Sequence, residues 1–514
     1  MKNKLIAFFS YIMGLKNYIF SFILGLSLVF SYAPFSLWWL PFIVLPLWFY
    51  RLENTSPKEA AKQGYAFALG WFSSGISWIH VCIDQFGGVP LIASIFIMLL
   101  LCAYLALYSA LACYLSAKFT TKKQLNLWLL PSFWCIAEYC RAHFLTGFPW
   151  LSLGYSQIDS PLAHWAPIIG EMGITYLLLL ISVLIFNLIN RSHTKKISIS
   201  IIILSLLTWQ ISNVNWVTGS GEITKVALIQ GNISQDIKWS PEQEWPTLLT
   251  YIDLTRINYD ADIIVWPESA IPALESAEHI QDYLAMANQS AHLNQSAIIT
   301  GILNYDIYSQ DYYNALIVLG DEHKNAPQEG YKYNNANRYY KNHLLPIGEF
   351  VPFQEWLRPI APLFNLPMSS FSRGDYIQPN LKANGINILP LICFEIAFPE
   401  QLNANFTLDT NILLTVSNDT WFGDSHGPHQ HLEIARMRAI EFGRPLIRAT
   451  NTGITAVIDY KGKIKKIVPQ FKQAVLASDI EIMKGQTPFS QWGLALNMII
   501  TLITLLLGFF LKQQ

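Results

Sequence analysis

Three polar residues stand where apolar runs stop. Glu268 ends "DIIVWPE", Lys341 lies in "RYYKNHLLPIGEF" and Cys393 lies near the end of "INILPLICFE". A thiol, a carboxylate and an ammonium suit nucleophilic acyl chemistry. The thiolate is the attacking species, a free thiol titrates near about 8.5, and a cation held close favours ionisation. Glu268 can take the thiol proton and later activate a second nucleophile. Attack on an ester carbonyl makes an oxyanion, for which Lys341 and the backbone N–H following Cys393 are suitable donors. Taken singly, each residue has a plainer reading. A buried cysteine is usually an inert small hydrophobe, and a lone Glu or Lys is usually a solvated charge. The other cysteines (Cys82, Cys102, Cys113, Cys135 and Cys140) lie in the first 140 residues, so Cys393 has no nearby partner in sequence.

Short apolar, β-branched runs must position these groups. Strands are expected at Lys225–Gly231, Asp262–Glu268, Ala297–Leu303, Asn314–Gly320, Ile386–Glu395, Asn411–Asp419, Pro445–Gly453 and Ile454–Tyr460. Glu278–Leu293 and His431–Arg444 have helical period. Continuous apolar strands mixed with helices predict a layered α/β domain, and such folds present catalytic groups at strand ends. "HGPHQH" brings His426, His429 and His431 close in sequence. Zinc sites show paired spacing with a clear third ligand, whereas the Gly-Pro here reads as a turn into a helix that His431 caps or packs against.

The remainder of the chain is of another kind. Of 514 residues 52% are hydrophobic and 13% charged, against about 25% charged in soluble domains. The net charge is −1 and no basic stripe appears, which excludes a nucleic-acid partner. Apolar segments occur at Asn17–Tyr32, Phe35–Tyr50, Ala60–Ile79, Val89–Leu115, Leu125–Cys140, Leu162–Asn190, Ile197–Ile211 and Gly493–Leu511. They predict eight transmembrane helices, the shorter ones falling below the roughly 20 residues a span needs. Lys2 and Lys4 precede the first without a clear cleavage site, so it reads as an uncleaved helix. Basic residues alternate between connections: Lys2, Lys4 and Lys16, then Arg51, Lys58 and Lys62, then Lys118, Lys122 and Lys123, then Arg191, Lys195 and Lys196. "SYAP" and "VCIDQFGG" carry none. The alternation puts both termini in the cytoplasm and residues from about Asn213 to Gln491 outside. The expected organisation is a seven-helix membrane domain over residues 1–215, an extramembrane α/β domain over 222–485 after a Gly/Ser linker "VTGSGE" (Val217–Glu222), and a closing span in 490–514. Glu138 and Arg141, three apart, can pair on one helix face. A transporter would show more intramembrane charge or broken-helix repeats.

The local sequence around the three polar residues is more specific. "VWPESAIP", "YYKNHLLPIGEFVPF" and "ICFEIAFPE" resemble the Glu, Lys and Cys motifs of the nitrilase superfamily. Together with "FPWLSLGYSQ", "ALIQGNISQDIKW", the run from Ser417 to Gly453 and "TPFSQWG", the chain resembles the apolipoprotein N-acyltransferase family over nearly its whole length. The resemblance implies an αββα sandwich with a Glu268–Lys341–Cys393 catalytic set and no metal or other cofactor. It makes Glu349 an auxiliary carboxylate, whose plainer role is to orient Lys341, and Glu395 and Trp239 further site residues. Trp150, Phe394 and Trp421 are the aromatic candidates for substrate contact. Phe394 departs from the family, where a Tyr often follows the Cys; this removes a hydroxyl and keeps the aromatic wall. The implied partners are a phospholipid acyl donor, phosphatidylethanolamine, and a diacylglyceryl-apolipoprotein acceptor in the bacterial inner membrane, with the catalytic domain in the periplasm. A membrane-tethered amidase acting on a small substrate shares the same residue set, but eight spans exceed what a tether needs.

The charge alternation is testable by itself. A Ser240→Cys protein should react with an impermeant maleimide from outside the membrane, and a Lys195→Cys protein only from the cytoplasmic side. The reverse pattern would invert the topology.

Overall fold

The computed structural model describes residues 16–119, 126–323, 327, 330–346, 348–350 and 371–513. Lys2, Lys4, Lys122, Lys123 and Leu125, with positions 347 and 351–353 of the lysine motif, lie outside the described residues. The chain divides into two units: Met1–Gln85, Val89–Val214 and Trp492–Gln514 form one, and Asn215–Gln491 with Phe86–Gly88 form the other.

In the first unit every expected apolar segment coincides with a helix: Lys16–Ser31, Pro41–Leu52, Pro57–Gly75, Leu91–Lys118, Asn126–His143, Pro161–Ile189, Thr194–Ser212 and Ala495–Gln513. Among the described residues, Leu91–Lys118, Pro161–Ile189 and Thr194–Ser212 are long and apolar enough to cross a membrane. Pro57–Gly75 and Ile79–Phe86, bent by 57°, make a fourth if they form one span. By length and composition, three or four of the described helices therefore meet the requirement, and the eight expected spans are borne out only in part. The reason is geometric: Pro41–Leu52 has 12 residues, and at about 1.5 Å each they rise about 18 Å against a hydrocarbon layer of about 30 Å. Packing in this unit uses small residues, as membrane helices do. A Cβ on Gly25 would lie 1.8 Å from the Phe67 carbonyl oxygen, and one on Gly70 would lie 2.1 Å from that of Phe22. Glu138 and Arg141 form a buried ion pair, and the Arg141 guanidinium also donates to the Trp150 carbonyl at 2.7 Å.

The second unit is built of strands β1 (Val217–Gln230), β2 (Ile263–Val265), β3 (Ala297–Asp306), β4 (Asp311–Gly320), β5 (Arg338–Tyr340), β6 (Leu381–Ala383), β7 (Ile386–Ile392), β8 (Ile412–Ser417), β9 (Leu446–Thr450), β10 (Thr455–Ile458), β11 (Ile464–Val468) and β12 (Ala474–Gly485). They form two six-stranded sheets, ordered β12-β1-β2-β3-β4-β5 and β11-β10-β9-β8-β7-β6. Each has a parallel centre, β1-β2-β3 in one and β7-β8-β9 in the other, flanked by antiparallel edges. Val226, Leu228, Ile263 and Val265 of the first sheet pack against Ile388, Ile412, Leu414 and Ile447 of the second in one core. Helices Pro241–Arg256 and Glu278–Leu293 cover the far face of the first sheet through Leu248, Tyr251, Ile280 and Leu284. Helix Gly427–Phe442, buried along most of its length, packs against the second sheet. The parallel strands are buried on both faces, which is why their sequences run apolar without alternation.

Two expectations change. "VTGSGE" is no linker: it opens β1 and pairs with β12, a bulge between Gly219 and Ile223 absorbing the positive φ of +80° at Gly221. The β12 ladder outweighs the turn propensity of Gly and Ser. The strand expected over Ile386–Glu395 stops at Ile392, and Cys393–Ala397 is a short helical turn.

Gly301 in β3 shows how tightly this frame holds Glu268. A Cβ there would lie 2.5 Å from the Ser269 nitrogen and 2.8 Å from the Glu268 Cα. Gly301→Ala should therefore displace the Glu268 backbone, giving a protein that still accumulates in membranes but loses most activity in an acyl-transfer assay. Wild-type turnover would show that the turn has slack.

Candidate active site

The site assembles where strands end. Glu268 lies three residues past β2, Lys341 follows β5 directly, Cys393 follows β7 directly, and Asn418 and Asp419 follow β8. Several of these turns need the left-handed backbone: φ is +55° at Cys393, +48° at Ser269 and +50° at Asp419. A non-glycine residue there costs on the order of 1–2 kcal/mol, and surrounding bonds must hold it.

The structure brings Glu268, Lys341 and Glu349 into contact. The Lys341 ammonium lies 3.4 Å from Glu268 Oε1 and 2.8 Å from Glu349 Oε2. The Asn314 amide donates to both carboxylates, at 2.9 Å each, and the Asn418 N–H donates to Glu268 Oε2 at 3.0 Å. Burial alone would push the Lys341 ammonium down, but the Glu349 and Glu268 carboxylates outweigh it and hold it well above the ordinary lysine value. Lys341 is thus a permanent cation of the site.

Cys393 is different. Burial raises its thiol most and Glu268 raises it further. Lys341 offsets part of this, Asp419 raises it again, and the Ser417 hydroxyl, 3.2 Å from the sulfur, lowers it slightly. The net displacement is upward, so the resting sulfur is a protonated thiol. The pull of the nearby lysine toward ionisation is present, but burial and the adjacent carboxylate outweigh it.

Glu395 is fully buried and ties two loops together. It accepts from the Ile392 N–H at 2.8 Å on the cysteine side, and from the Asn342 and His343 N–H groups at 2.8 and 3.0 Å on the lysine side. The Tyr339 hydroxyl and the Gln401 amide complete its shell.

Two family models and several relatives match this chain. The apolipoprotein N-acyltransferase N-terminal domain matches residues 24–184, and the carbon-nitrogen hydrolase domain matches residues 225–486. A protein of Shewanella oneidensis named apolipoprotein N-acyltransferase is 48% identical over 501 residues, 96% of each chain. The chain belongs to the apolipoprotein N-acyltransferase family. A relative of that name from Photobacterium profundum is 49% identical over 91% of this chain and 92% of its own, and one from Haemophilus influenzae is 39% identical over 97% and 96%. A solved carbon-nitrogen hydrolase from Helicobacter pylori, 14% identical, covers 57% of this chain and 95% of its own with a TM-score of 0.37.

The remaining candidates fall in different places. Phe394 is 5% exposed and packs against Phe398 and His343. Trp421 is half-buried in the turn Thr420–Phe422, with Phe86 edge-on at 5.4 Å. Trp150 lies in the first unit, 1% exposed, against Trp78 and Phe148. Trp239 is 36% exposed and reaches the site through its neighbour: the Lys238 ammonium sits 5.6 Å from its ring centroid and 3.5 Å from the Glu268 carbonyl oxygen. Burial pulls Lys238 down to about 8, with Glu268 offsetting part of the effect. Among the described residues no group of three or more His, Cys, Asp or Glu side chains is placed to hold a metal ion. His431 does more than cap or pack at its helix start: it is fully buried, 3.0 Å from Asp419 and 3.1 Å from the Cys393 carbonyl oxygen. Sequence reading also missed Asn314, Ser417, Asn418 and Lys238. The first three carry one signal, a polar residue at the end of an apolar strand; Lys238, in a polar helix, carries none.

The raised thiol has a sign that can be measured. Alkylation of Cys393 by iodoacetamide should keep accelerating with pH past the ordinary thiol pKa. Glu268→Gln removes a charge that raises the thiol, so it should shift the alkylation profile to lower pH while acyl transfer stops. A plateau near neutral pH in the wild type would mean that a thiolate is already present.

Proposed function

We propose that this chain is an acyltransferase that moves an acyl chain from a membrane phospholipid to the α-amino group of the N-terminal diacylglyceryl-cysteine of lipoproteins. The observation that carries the proposal is the full-length family match on a chain that joins a helix-rich apolar unit to a Cys393–Lys341–Glu268 site. A water-using amidase needs the second part but not the first.

The chemistry runs in two halves. The Cys393 thiol passes its proton to Glu268 as sulfur attacks the ester carbonyl. The oxyanion is met by the Lys341 ammonium and the Phe394 N–H. Collapse breaks the ester C–O bond, and the lysophospholipid leaves with the proton that Glu268 returns. The lipoprotein amine then attacks the thioester, gives its surplus proton to Glu268, and expels the sulfur, which is reprotonated. Lys341 remains charged throughout, and Glu349 and Asn314 hold it in register. Lys341→Arg would keep the charge but not the point geometry.

The donor headgroup in this reading is phosphatidylethanolamine. The enzyme spans the bacterial inner membrane eight times, with both termini cytoplasmic and the α/β unit periplasmic. Support comes from the alternation of basic residues between apolar segments. Phe394 and Trp421 would contact substrate within the α/β unit, Trp150 is the candidate within the helical unit, and Trp239 with Lys238 would flank Glu268. Both substrates are lipid-anchored, so tethering to one surface raises their effective concentration.

Incubation of the purified protein with phospholipid alone should add one acyl mass to the peptide carrying Cys393, released by hydroxylamine as a thioester is. Cys393→Ala should take up none. Acylation of the Cys393→Ala protein at the wild-type rate would place the covalent site elsewhere and overturn the mechanism.

A further inference from the structure

The back of the nucleophile turn carries a polar cluster that the mechanism above does not use. Asp419, His431 and Arg448 are all essentially buried. The Arg448 guanidinium donates to Asp419 Oδ2 at 2.5 Å and lies 2.9 Å from His431 Nδ1. Ser417 Oγ lies 2.5 Å from Asp419 Oδ1 and 3.2 Å from the Cys393 sulfur. On the other side of the ring, His431 Nε2 lies 3.1 Å from the Cys393 carbonyl oxygen.

These distances decide the tautomer. A carbonyl oxygen can only accept, so the Nε2 that lies 3.1 Å from it carries the hydrogen, while Nδ1 sits between the Arg448 guanidinium at 2.9 Å and Asp419 Oδ1 at 3.0 Å. Burial and the Arg448 charge hold His431 below its ordinary value, which leaves a neutral ring with a single N–H. That hydrogen is then on Nε2 and is donated to the Cys393 carbonyl. Burial works against the Asp419 carboxylate, but Arg448 and then His431 hold it well below the usual range, so it stays charged. The Ser417 hydroxyl and Arg448 donate to the carboxylate, and His431 Nδ1 lies 3.0 Å from its Oδ1.

The consequence lies one peptide bond away. A trans peptide is planar, and its C=O and N–H point in opposite directions. Fixing the Cys393 carbonyl on His431 therefore fixes the Phe394 N–H pointing away from His431. A flip of this peptide would bring the Phe394 N–H against the Nε2–H, donor against donor. Residue 393 is already in the left-handed region, φ +55°, a conformation that contacts from outside the turn must hold in place.

We propose that His431 is a positioning residue for the oxyanion hole: by holding the Cys393 carbonyl from behind, it aims the Phe394 N–H at the developing oxyanion, and its ring is itself held between Arg448 and Asp419. Asp419 and Ser417 complete the mount. The Gly453 position closes against it, where a Cβ would lie 2.4 Å from Asp419 Oδ2. This rests on Cys393 being the acylated nucleophile, which acylation of the wild-type protein reads separately.

Two amide substitutions separate the ring nitrogens. The His431→Gln amide nitrogen reaches the Nε2 place and can still donate to the Cys393 carbonyl. The His431→Asn amide reaches only the Nδ1 place, keeping the contact with Asp419 and Arg448 but not the one with Cys393. Both proteins are solubilised and given phosphatidylethanolamine, and acyl-Cys393 is followed by mass. His431→Gln should acylate close to the wild-type rate. His431→Asn should be slower by about ten- to a hundredfold, up to the scale of losing one oxyanion donor. Alkylation of Cys393 by iodoacetamide, which needs a thiolate but no oxyanion hole, should proceed at the same rate in all three proteins. Equal acylation rates in the two variants, or alkylation falling in step with acylation in His431→Asn, would overturn the proposal. The first would show that the Nε2 contact is irrelevant, and the second that His431 acts through the thiol.

Discussion

A lysine ammonium with 2% exposure is the constraint on which the catalytic unit turns. Taking a charge out of water costs several kcal/mol, and an uncompensated one costs about 3–5 kcal/mol when its partner is removed. Lys341 is held because Glu268 and Glu349 both reach it, at 3.4 and 2.8 Å. Two carboxylates that close would repel, and the Asn314 amide, with one hydrogen for each, makes the arrangement tolerable. The charge needed for an oxyanion is thus inseparable from the base needed for a thiol.

The two sheets exist to deliver these groups to one place. Each has a parallel core whose strands end on the same side, so β2, β7 and β8 release Glu268, Cys393 and Asn418 toward a common point. Glu268, Cys393 and Asn418 themselves all come after the parallel strands stop. Glu395 then fastens the cysteine turn to the lysine loop with backbone N–H groups from both. A carboxylate is suited to this because one anion can accept several amide hydrogens at once, where a neutral acceptor would bind each more weakly.

The protonated state of Cys393 follows from its packing against the core and from the Glu268 carboxylate. A site dry enough to strengthen Lys341 also penalises a thiolate, and Glu268 adds to the penalty. The resting protein therefore holds an unreactive sulfur, and in the proposed mechanism a proton transfer to Glu268 makes the nucleophile only when a carbonyl is there to be attacked. A thiol kept this way is protected from adventitious oxidation as well, since thiolate character and access govern that chemistry.

Much of this was legible in the sequence, because local chemistry carried it. The apolar runs marked their helices and strands: a segment buried on both faces has no choice but to be apolar throughout. Glu268, Lys341 and Cys393 announced themselves as polar residues at the ends of such runs, and the motifs around them narrowed the family. What the residues alone did not decide were properties of neighbours distant in the chain. "VTGSGE" reads as a linker until β12, more than 250 residues later, pairs with it. Asn314 is one asparagine among many until it stands between two carboxylates. His431 sits in a histidine-rich stretch that suggests metal, and only the fold turns it toward the Cys393 carbonyl. The balance that sets the resting state of that cysteine was undecided for the same reason. A nearby lysine can be inferred from sequence, but the depth of burial that outweighs it is a property of the packed tertiary structure.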